Sequence, residues 1–418
     1  MFRLKTPEPY RGLPNSVYVL FFANVVNHLG NFVWPLLTLY LTERLGFSKH
    51  GAGELIMLSA AAAVPGSLLG GRLADRLGRK RLFVVSRTLA ALTLGACAFL
   101  RPSLTIAWLL IAQSLLGAAS DPALRAMVAD LTNRENRQAA NSLLYLGINL
   151  GFAVGPALAG FLYRRHLPWL FLGDAFTTLL SVSLVAALVK ETLPDQIPDR
   201  EAEEDVPPEE RAERGGLLAA LGKRPALVRF AATLGVYHFV SAQAGFALPV
   251  QAREVFGADG PALYGILMSV NALTVIALTA FVTRWTSHLD PACNMALGGA
   301  FYAFGFGMLF LVRRFPLFIL STVVWTVGEI LVATNSGVYI ANHSPLSHRA
   351  RFSSVLSIVS GTGWAIGPNY MGRVIDRLGV RAVWPVAFSL GLGGAAVMFA
   401  LWVAEGVQRR ARDTRSAY

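Results

Sequence analysis

The chain has 418 residues, of which 54% are hydrophobic and only 15% charged, with a formal net charge of +12; its mean hydropathy is +0.50. A water-soluble domain carries nearer a quarter charged residues, so this composition excludes a soluble globular fold. The two cysteines, Cys97 and Cys293, are too few for a disulfide framework or a metal site and read as small apolar filler.

Twelve apolar windows follow one another, at roughly 16–42, 52–73, 82–100, 104–127, 139–162, 168–189, 226–252, 261–283, 292–312, 315–340, 352–373 and 380–404. At a rise of about 1.5 Å per residue each can cross a hydrocarbon layer of about 30 Å. Backbone groups inside that layer must pair within their own segment, so each window reads as a helix. The expected fold is an all-α membrane protein of twelve transmembrane helices in two six-helix halves, 1–189 and 226–418. Between them, 190–225 holds ten acidic and six basic residues with several prolines, and reads as a hydrophilic linker. The polar, basic start lacks a small-residue cleavage pattern, so the first window is not read as a removable signal. Lys and Arg concentrate on the side that would hold both termini, the linker and residues 70–81. Both termini therefore read as cytoplasmic, in a multi-pass protein of the cell (inner) membrane. The same rule and attraction to anionic lipid heads account for the net charge without nucleic acid.

In chain order, span one carries Asn27, His28, Asn31 and Trp34 near its middle. Five basic residues and one aspartate crowd "GGRLADRLGRKR" (70–81), between spans two and three. Span three holds Arg87; span four holds Gln113, Asp121, Arg125 and, at its end, Asp130. Tyr145 and Asn149 lie in span five. The second half places Tyr237, His238 and Gln243 in span seven, Asn271 in span eight, Trp325 and Glu329 in span ten, and Trp364 in span eleven. Polar groups at membrane depth are costly and tend to mark pathways, although any single Asn or His there can simply bond between helices. An apolar, aromatic cavity with few polar groups suits amphipathic or cationic molecules better than sugars. Glu329 sits midway along its span with no basic residue within a dozen positions in sequence, and desolvation there favours a proton-carrying role. Gly328 beside it is expected to leave room for a ligand.

The halves repeat. A shift of 212 residues lays "NLGFAVGPALAG" (149–160) on "GTGWAIGPNYMG" (361–372), so Gly151, Gly155, Pro156 and Gly160 meet Gly363, Gly367, Pro368 and Gly372. Glycines four apart allow helices to approach closely, and proline bends the helix. A weaker echo, "GRVIDRLGVR" (372–381) against "GRLADRLGRK" (71–80), falls on the opposite side of the membrane by span count. Three-helix units inserted in alternating orientation produce that pattern in secondary transporters.

Twelve spans, the central loop and "GRLADRLGRK" together resemble the major facilitator superfamily over essentially the whole chain. The loop matches that family's motif at Gly71, Leu73, Asp75, Arg76, Gly78, Arg79 and Lys80. Gly71 is read as the point of close helix approach and Gly78 as the tight turn. The resemblance implies a gate in which Asp75 faces a helix N-terminus of the other half and joins a network with neighbouring arginines and Asp130. It further implies that spans one, four, seven and ten, with two, five, eight and eleven, line the cavity. The "GxxxGP" pattern resembles a motif of the antiporter branch, with Gly160 spaced more widely than usual. The arginine those antiporters carry in span four is absent, and Gln113 stands in its place. Some multidrug antiporters of the family use a span-ten glutamate after a glycine, as in Gly328–Glu329. The E-x-x-E-R motif of proton-coupled peptide transporters is missing, as is any phosphate-binding loop. The expected activity is proton-coupled export of amphipathic or cationic drugs by a monomeric protein, with Glu329, Asp121 and Asp130 as proton-coupling candidates and no cofactor, metal or catalysis. Transport of a lipid-like molecule, sugar or other metabolite is the alternative, and a non-transporting sensor or scaffold is the other.

Overall fold

The computed structural model describes residues 10–133, 136–193, 225–343 and 349–416. Among them there is no strand. Span one is Asn15–Leu29 and Val33–Leu39, the second piece running into a π-helical turn, Tyr40–Arg44. Span two is Lys49–Leu77, span three Arg79–Ala96, span four Leu104–Leu131, span five Arg137–Phe152 and Gly155–Arg165, and span six Leu167–Leu188. Span seven is Pro225–Ser241 and Gln243–Phe256, span eight Gly260–Thr286, span nine Pro291–Met308, span ten Phe315–His343, span eleven Arg349–Leu378 and span twelve Val383–Ser416. Nine described stretches are long and apolar enough to cross a membrane, and one of these, Pro225–Thr286, is 62 residues long and contains both spans seven and eight. The order accommodates the twelve expected passes. Most of the expected linker, 194–224, lies outside the described residues.

Large apolar side chains face outward, with Phe99 81%, Leu311 78% and Trp108 67% exposed. In water that surface would drive aggregation; facing acyl chains it costs nothing. Local chemistry sets the helix ends. The Ser48 hydroxyl accepts from the Gly51 N–H at 3.0 Å and starts span two. Spans two and three are joined by one residue, Gly78, whose φ of 101° is open to glycine at little cost.

Contacts group the described chain into two units, one holding spans one to six with Leu248–Ile276, the other holding the rest of the second half. In the first unit, span one packs on spans five and six, and span three on spans four and six. In the second, span seven packs on spans eleven and twelve, and span nine on spans ten and twelve. The pairings differ by six spans throughout, which is the sequence repeat expressed in packing. A core of Val17, Leu20, Phe83, Met127, Leu143 and Val185 ties spans one, three, four, five and six of the first unit together. In the second, Phe306 stacks between Trp325 at 5.3 Å and Trp384 at 6.1 Å.

The repeat reaches the breaks in the helices. Span one is interrupted between Leu29 and Val33, and span seven between Ser241 and Gln243. The 212-residue shift carries Gly30 onto Ala242, so the interruptions correspond. Each lies against the glycine-rich span of its own unit. A methyl on Gly151 would sit 2.6 Å from the His28 Cβ and 2.7 Å from the Leu29 nitrogen, and one on Gly363 would lie 2.9 Å from the Phe239 nitrogen. The segment Leu248–Ile276 is held within the first unit by polar contacts as well. Arg253 Nε donates to Glu43 Oε1 at 2.6 Å, Tyr163 Oη donates to Glu43 Oε2 at 3.0 Å, and Arg164 pairs with Asp259.

Packing of this kind has a direct test. Gly363→Val should lower the thermal stability of the purified protein by about 1–3 kcal/mol or prevent its accumulation, because it overpacks a backbone contact. Gly245→Ala, where a methyl meets nothing within 4 Å, should leave stability unchanged or slightly raised. Thermal unfolding of the two variants side by side, monitored by circular dichroism, checks this.

Candidate functional site

The charged connection between spans two and three is organised by two acids that its own sequence does not contain. Asp130, at the end of span four, pairs with Arg79. Glu191, just past span six, accepts from the N–H groups of Arg79 at 2.8 Å, Lys80 at 3.1 Å and Arg81 at 3.2 Å. Those are the first amides of span three, which have no partner inside the helix, and a carboxylate is the best acceptor for them. Partial burial pushes the Glu191 carboxyl up, but the amide bonds from Lys80, Arg81, Leu193 and Thr192 outweigh it and hold it below the ordinary carboxylate range. Asp75 and Arg76 are exposed on the last turns of span two, as are Arg72 and Leu73, while Lys80 is half-buried. Gly71 does not make the close approach expected of it within its unit: its nearest neighbour is the Pro122 Cβ, 3.9 Å from where a methyl would be. Gly70 makes that approach instead, with Ala119 Cα at 2.7 Å. Adjacent residues on a helix point about 100° apart, so the face that meets span four is Gly70's and not Gly71's.

A cavity of about 170 Å³ opens inside the first unit. Asn27, His28, Asn31 and Trp34 of span one line it, with Ser59, Arg87, Gln113, Asp174 and Thr178. Four expected cavity residues from span one thus come together. Several of its polar groups are held by neighbours. Asn27 Oδ1 accepts from Thr178 Oγ1 at 3.3 Å, and His28 Nδ1 lies 3.0 Å from the Asn24 carbonyl. Arg87 donates to Ser120 Oγ at 2.8 Å and to Asp121 Oδ1 at 3.3 Å. The guanidinium missing at position 113 is therefore supplied to the same cavity by span three, with Gln113 beside it. Arg125 is exposed farther along span four. Asp121 and Asp130 are each engaged by an arginine. Tyr145 is exposed in span five, and Asn149 donates back to its own helix at the Tyr145 carbonyl.

In the second unit Trp364 Nε1 donates to His238 Nδ1 at 2.8 Å, joining two expected cavity residues. Three others, expected to line the cavity, are instead buried in the packing. Tyr237 is fully buried and donates to the Met295 carbonyl at 3.0 Å. Gln243 is fully buried, donating to the Phe239 carbonyl at 2.9 Å. Trp325 is 4% exposed against Phe306. Neighbours on one helix face different ways, so Tyr237 meets span nine while His238 meets Trp364. The room expected beside Glu329 is also taken: a methyl on Gly328 would sit 2.8 Å from the Gly298 carbonyl of span nine. Glu329 itself is half-buried, and Asn271 likewise. Pro156 and Gly160 pack against Gly265 and Pro261, and Gly372 is buried.

Sequence reading missed Asp174, Glu191 and the Glu43–Arg253 pair. Asp174 is 7% exposed, and its Oδ2 accepts from the N–H groups of Phe32 at 3.2 Å and Val33 at 3.3 Å, across the break in span one. An acid in the middle of an otherwise apolar window was the available signal.

The Glu191 cap has a signed pH dependence. Its carboxyl is held low in the folded protein, so its contribution is fully present above the ordinary value of about 4.3 and fades as the pH falls through its folded value. Protection of the Arg79, Lys80 and Arg81 amides, taken relative to their intrinsic exchange at each pH, should be high at neutral pH and fall as the pH drops below the ordinary carboxylate range. Glu191→Gln should show the lower protection at every pH, and equal protection in the two proteins at neutral pH would rule the cap out.

The Major Facilitator Superfamily model matches residues 20–368. An uncharacterised MFS-type transporter of Bacillus subtilis, YttB, is 24% identical over 380 residues, covering 89% of this chain and 91% of that protein. A Na(+), Li(+), K(+)/H(+) antiporter of Planococcus maritimus is 25% identical, covering 80% and 84%. The multidrug resistance protein MdtH of Yersinia enterocolitica is 27% identical over 64% of each chain. Among solved structures, a POT family transporter in complex with 5-aminolevulinic acid superposes with a TM-score of 0.79 at 15% identity, covering 94% of this chain and 97% of that one. With its model matched from span one into span eleven and the same fold recovered in solved transporters, the chain belongs to the major facilitator superfamily and is a multi-pass membrane transporter.

Proposed function

We propose that the protein is a proton-coupled secondary transporter that exports amphipathic or cationic compounds by alternating access. The observation that carries this reading is the set of ionisable groups at membrane depth: Glu329 midway along span ten, and the Arg87–Asp121 pair beside a cavity that also contains His28. Such groups are retained in hydrocarbon when ions or protons use them. The relative named as a multidrug resistance protein agrees with drug export. Glu329 is the principal proton carrier in this reading: protonated on one side of the membrane, and ionised when a cationic compound arrives to neutralise it. Asp121 and Asp130 follow it. Within the first unit, Trp34 offers an aromatic contact to the compound. Asp75 serves the gate, and both termini lie in the cytoplasm of a protein working as a monomer in the inner membrane.

A second reading, exchange of monovalent metal cations for protons, is favoured by the Planococcus relative. Proteoliposomes with an imposed pH gradient separate these. Drug-driven proton movement supports export, movement driven by sodium or potassium supports cation exchange, and flux without proton movement supports carriage of a lipid-like molecule, sugar or metabolite. No flux at all leaves a sensor or scaffold.

Glu329→Gln mimics the neutral acid. It should preserve fold and drug binding while reducing pH-driven export about tenfold or more, the size of a 1–2 kcal/mol coupling. Export by this variant with unaltered pH dependence would move the proton to another group. Asp75→Asn should lower transport several-fold while membrane insertion stays normal, since it removes one exposed charge and no apolar contact. Insertion and drug flux measured on the same membranes distinguish that outcome from misfolding.

A further inference from the structure

We infer that Asp174, with the oxygen groups around the cavity it lines, is a monovalent-cation site in the first half of the molecule, taking a proton or an alkali-metal ion. The inference rests on the reading of the protein as a cation-coupled transporter but concerns a residue outside the proton path proposed above.

The geometry supports it in three ways. First, the carboxylate is almost wholly buried, about two turns inside span six. Its Oδ2 accepts from the N–H groups of Phe32 and Val33, and the residue lines the cavity. Second, a neighbouring hydroxyl awaits a partner. Ser59 is 1% exposed, lines the same cavity, and its oxygen makes no hydrogen bond. A buried hydroxyl left in that state costs free energy, and a cation or its water would satisfy it. The amides of Asn27 and Asn31 line the cavity too. Carboxylate, hydroxyl and amide oxygens are hard donors, the type that holds a proton or an alkali-metal ion.

Third, the charges require it. The groups facing Asp174 are His28 from span one and Arg87 from span three, with Asp121 of span four behind Arg87. Arg87 is matched by Asp121. With His28 neutral, ionised Asp174 leaves one uncompensated negative charge in a low-dielectric interior, and one monovalent cation neutralises it. Binding there acts on the span-one break directly. Neutralising the carboxylate weakens its hold on the Phe32 and Val33 amides, and the same break lies against Gly151 of span five.

An infrared pH titration of the full chain in lipid nanodiscs tests this without any transport. The carboxylic-acid band of a buried acid should appear as the pH falls and be absent in Asp174→Asn. Run in choline chloride and again in sodium chloride, the titration distinguishes the ion. A midpoint about one pH unit lower in sodium means that the metal competes with the proton for the site. An identical midpoint means that the site takes protons alone. Ser59→Ala, which removes a single oxygen from the cavity wall, should shift the midpoint if Asp174→Asn fails to fold. Identical bands in wild type and Asp174→Asn would overturn the inference, as would a midpoint untouched by Ser59→Ala should Asp174→Asn not fold. Loss of pH-driven export in Glu329→Gln with the Asp174 band intact would leave this site standing, and failure of drug export in every protein would sink only the functional reading.

Discussion

Everything in this molecule answers to the absence of water inside the bilayer. A helix there supplies its own hydrogen bonds, and wherever it breaks, the freed groups need partners from elsewhere in the protein. Span one breaks, and the freed amides of Phe32 and Val33 go to Asp174. Span six must therefore run beside span one with its acid at that level. Span five must come close enough to cover the same break, which it does by presenting Gly151 and Gly155 to the His28–Leu29 backbone. The second unit meets its own break in span seven by packing span eleven there through Gly363 and Gly367.

A second consequence concerns charge. Within the first unit, ionic groups occur at three levels, and each has a local solution. At one end Asp130 and Glu191 take the positive side chain and the amides at the start of span three. Midway, Arg87 reaches Asp121 and Ser120. At the other end Glu43 accepts from both Tyr163 and Arg253. Asp174, like Glu191, accepts from neutral backbone amides, but Glu191 is exposed whereas Asp174 is buried.

Much of the fold was legible in the sequence, because long apolar windows and a 212-residue repeat are one-dimensional signals. The twelve windows correspond to helices in order, and the tight turn at Gly78 has the positive φ that its glycine permits. Helix faces were less legible. Tyr237 and His238 are neighbours, yet one is sealed against span nine and the other bonds Trp364. Windows uniformly apolar around the helix carry no periodicity that could tell those faces apart. Contacts across distance were not legible at all: Glu191 caps amides 110 to 112 residues away, and Glu43 meets Arg253 across 210. No motif links these pairs, because each is formed only when separate spans pack.

The single-residue link at Gly78 bears on how the protein is made. Spans two and three cannot enter the bilayer as independent segments separated by a loose loop, since Leu77 ends one helix and Arg79 begins the next. They form a helical hairpin that a translocation machine must accept as one piece. Arg79, Lys80 and Arg81 stand at its bend, and three successive positive charges resist passage through a membrane. Residues that resemble a gate motif thus weigh first on how the hairpin inserts, before any gate has anything to close.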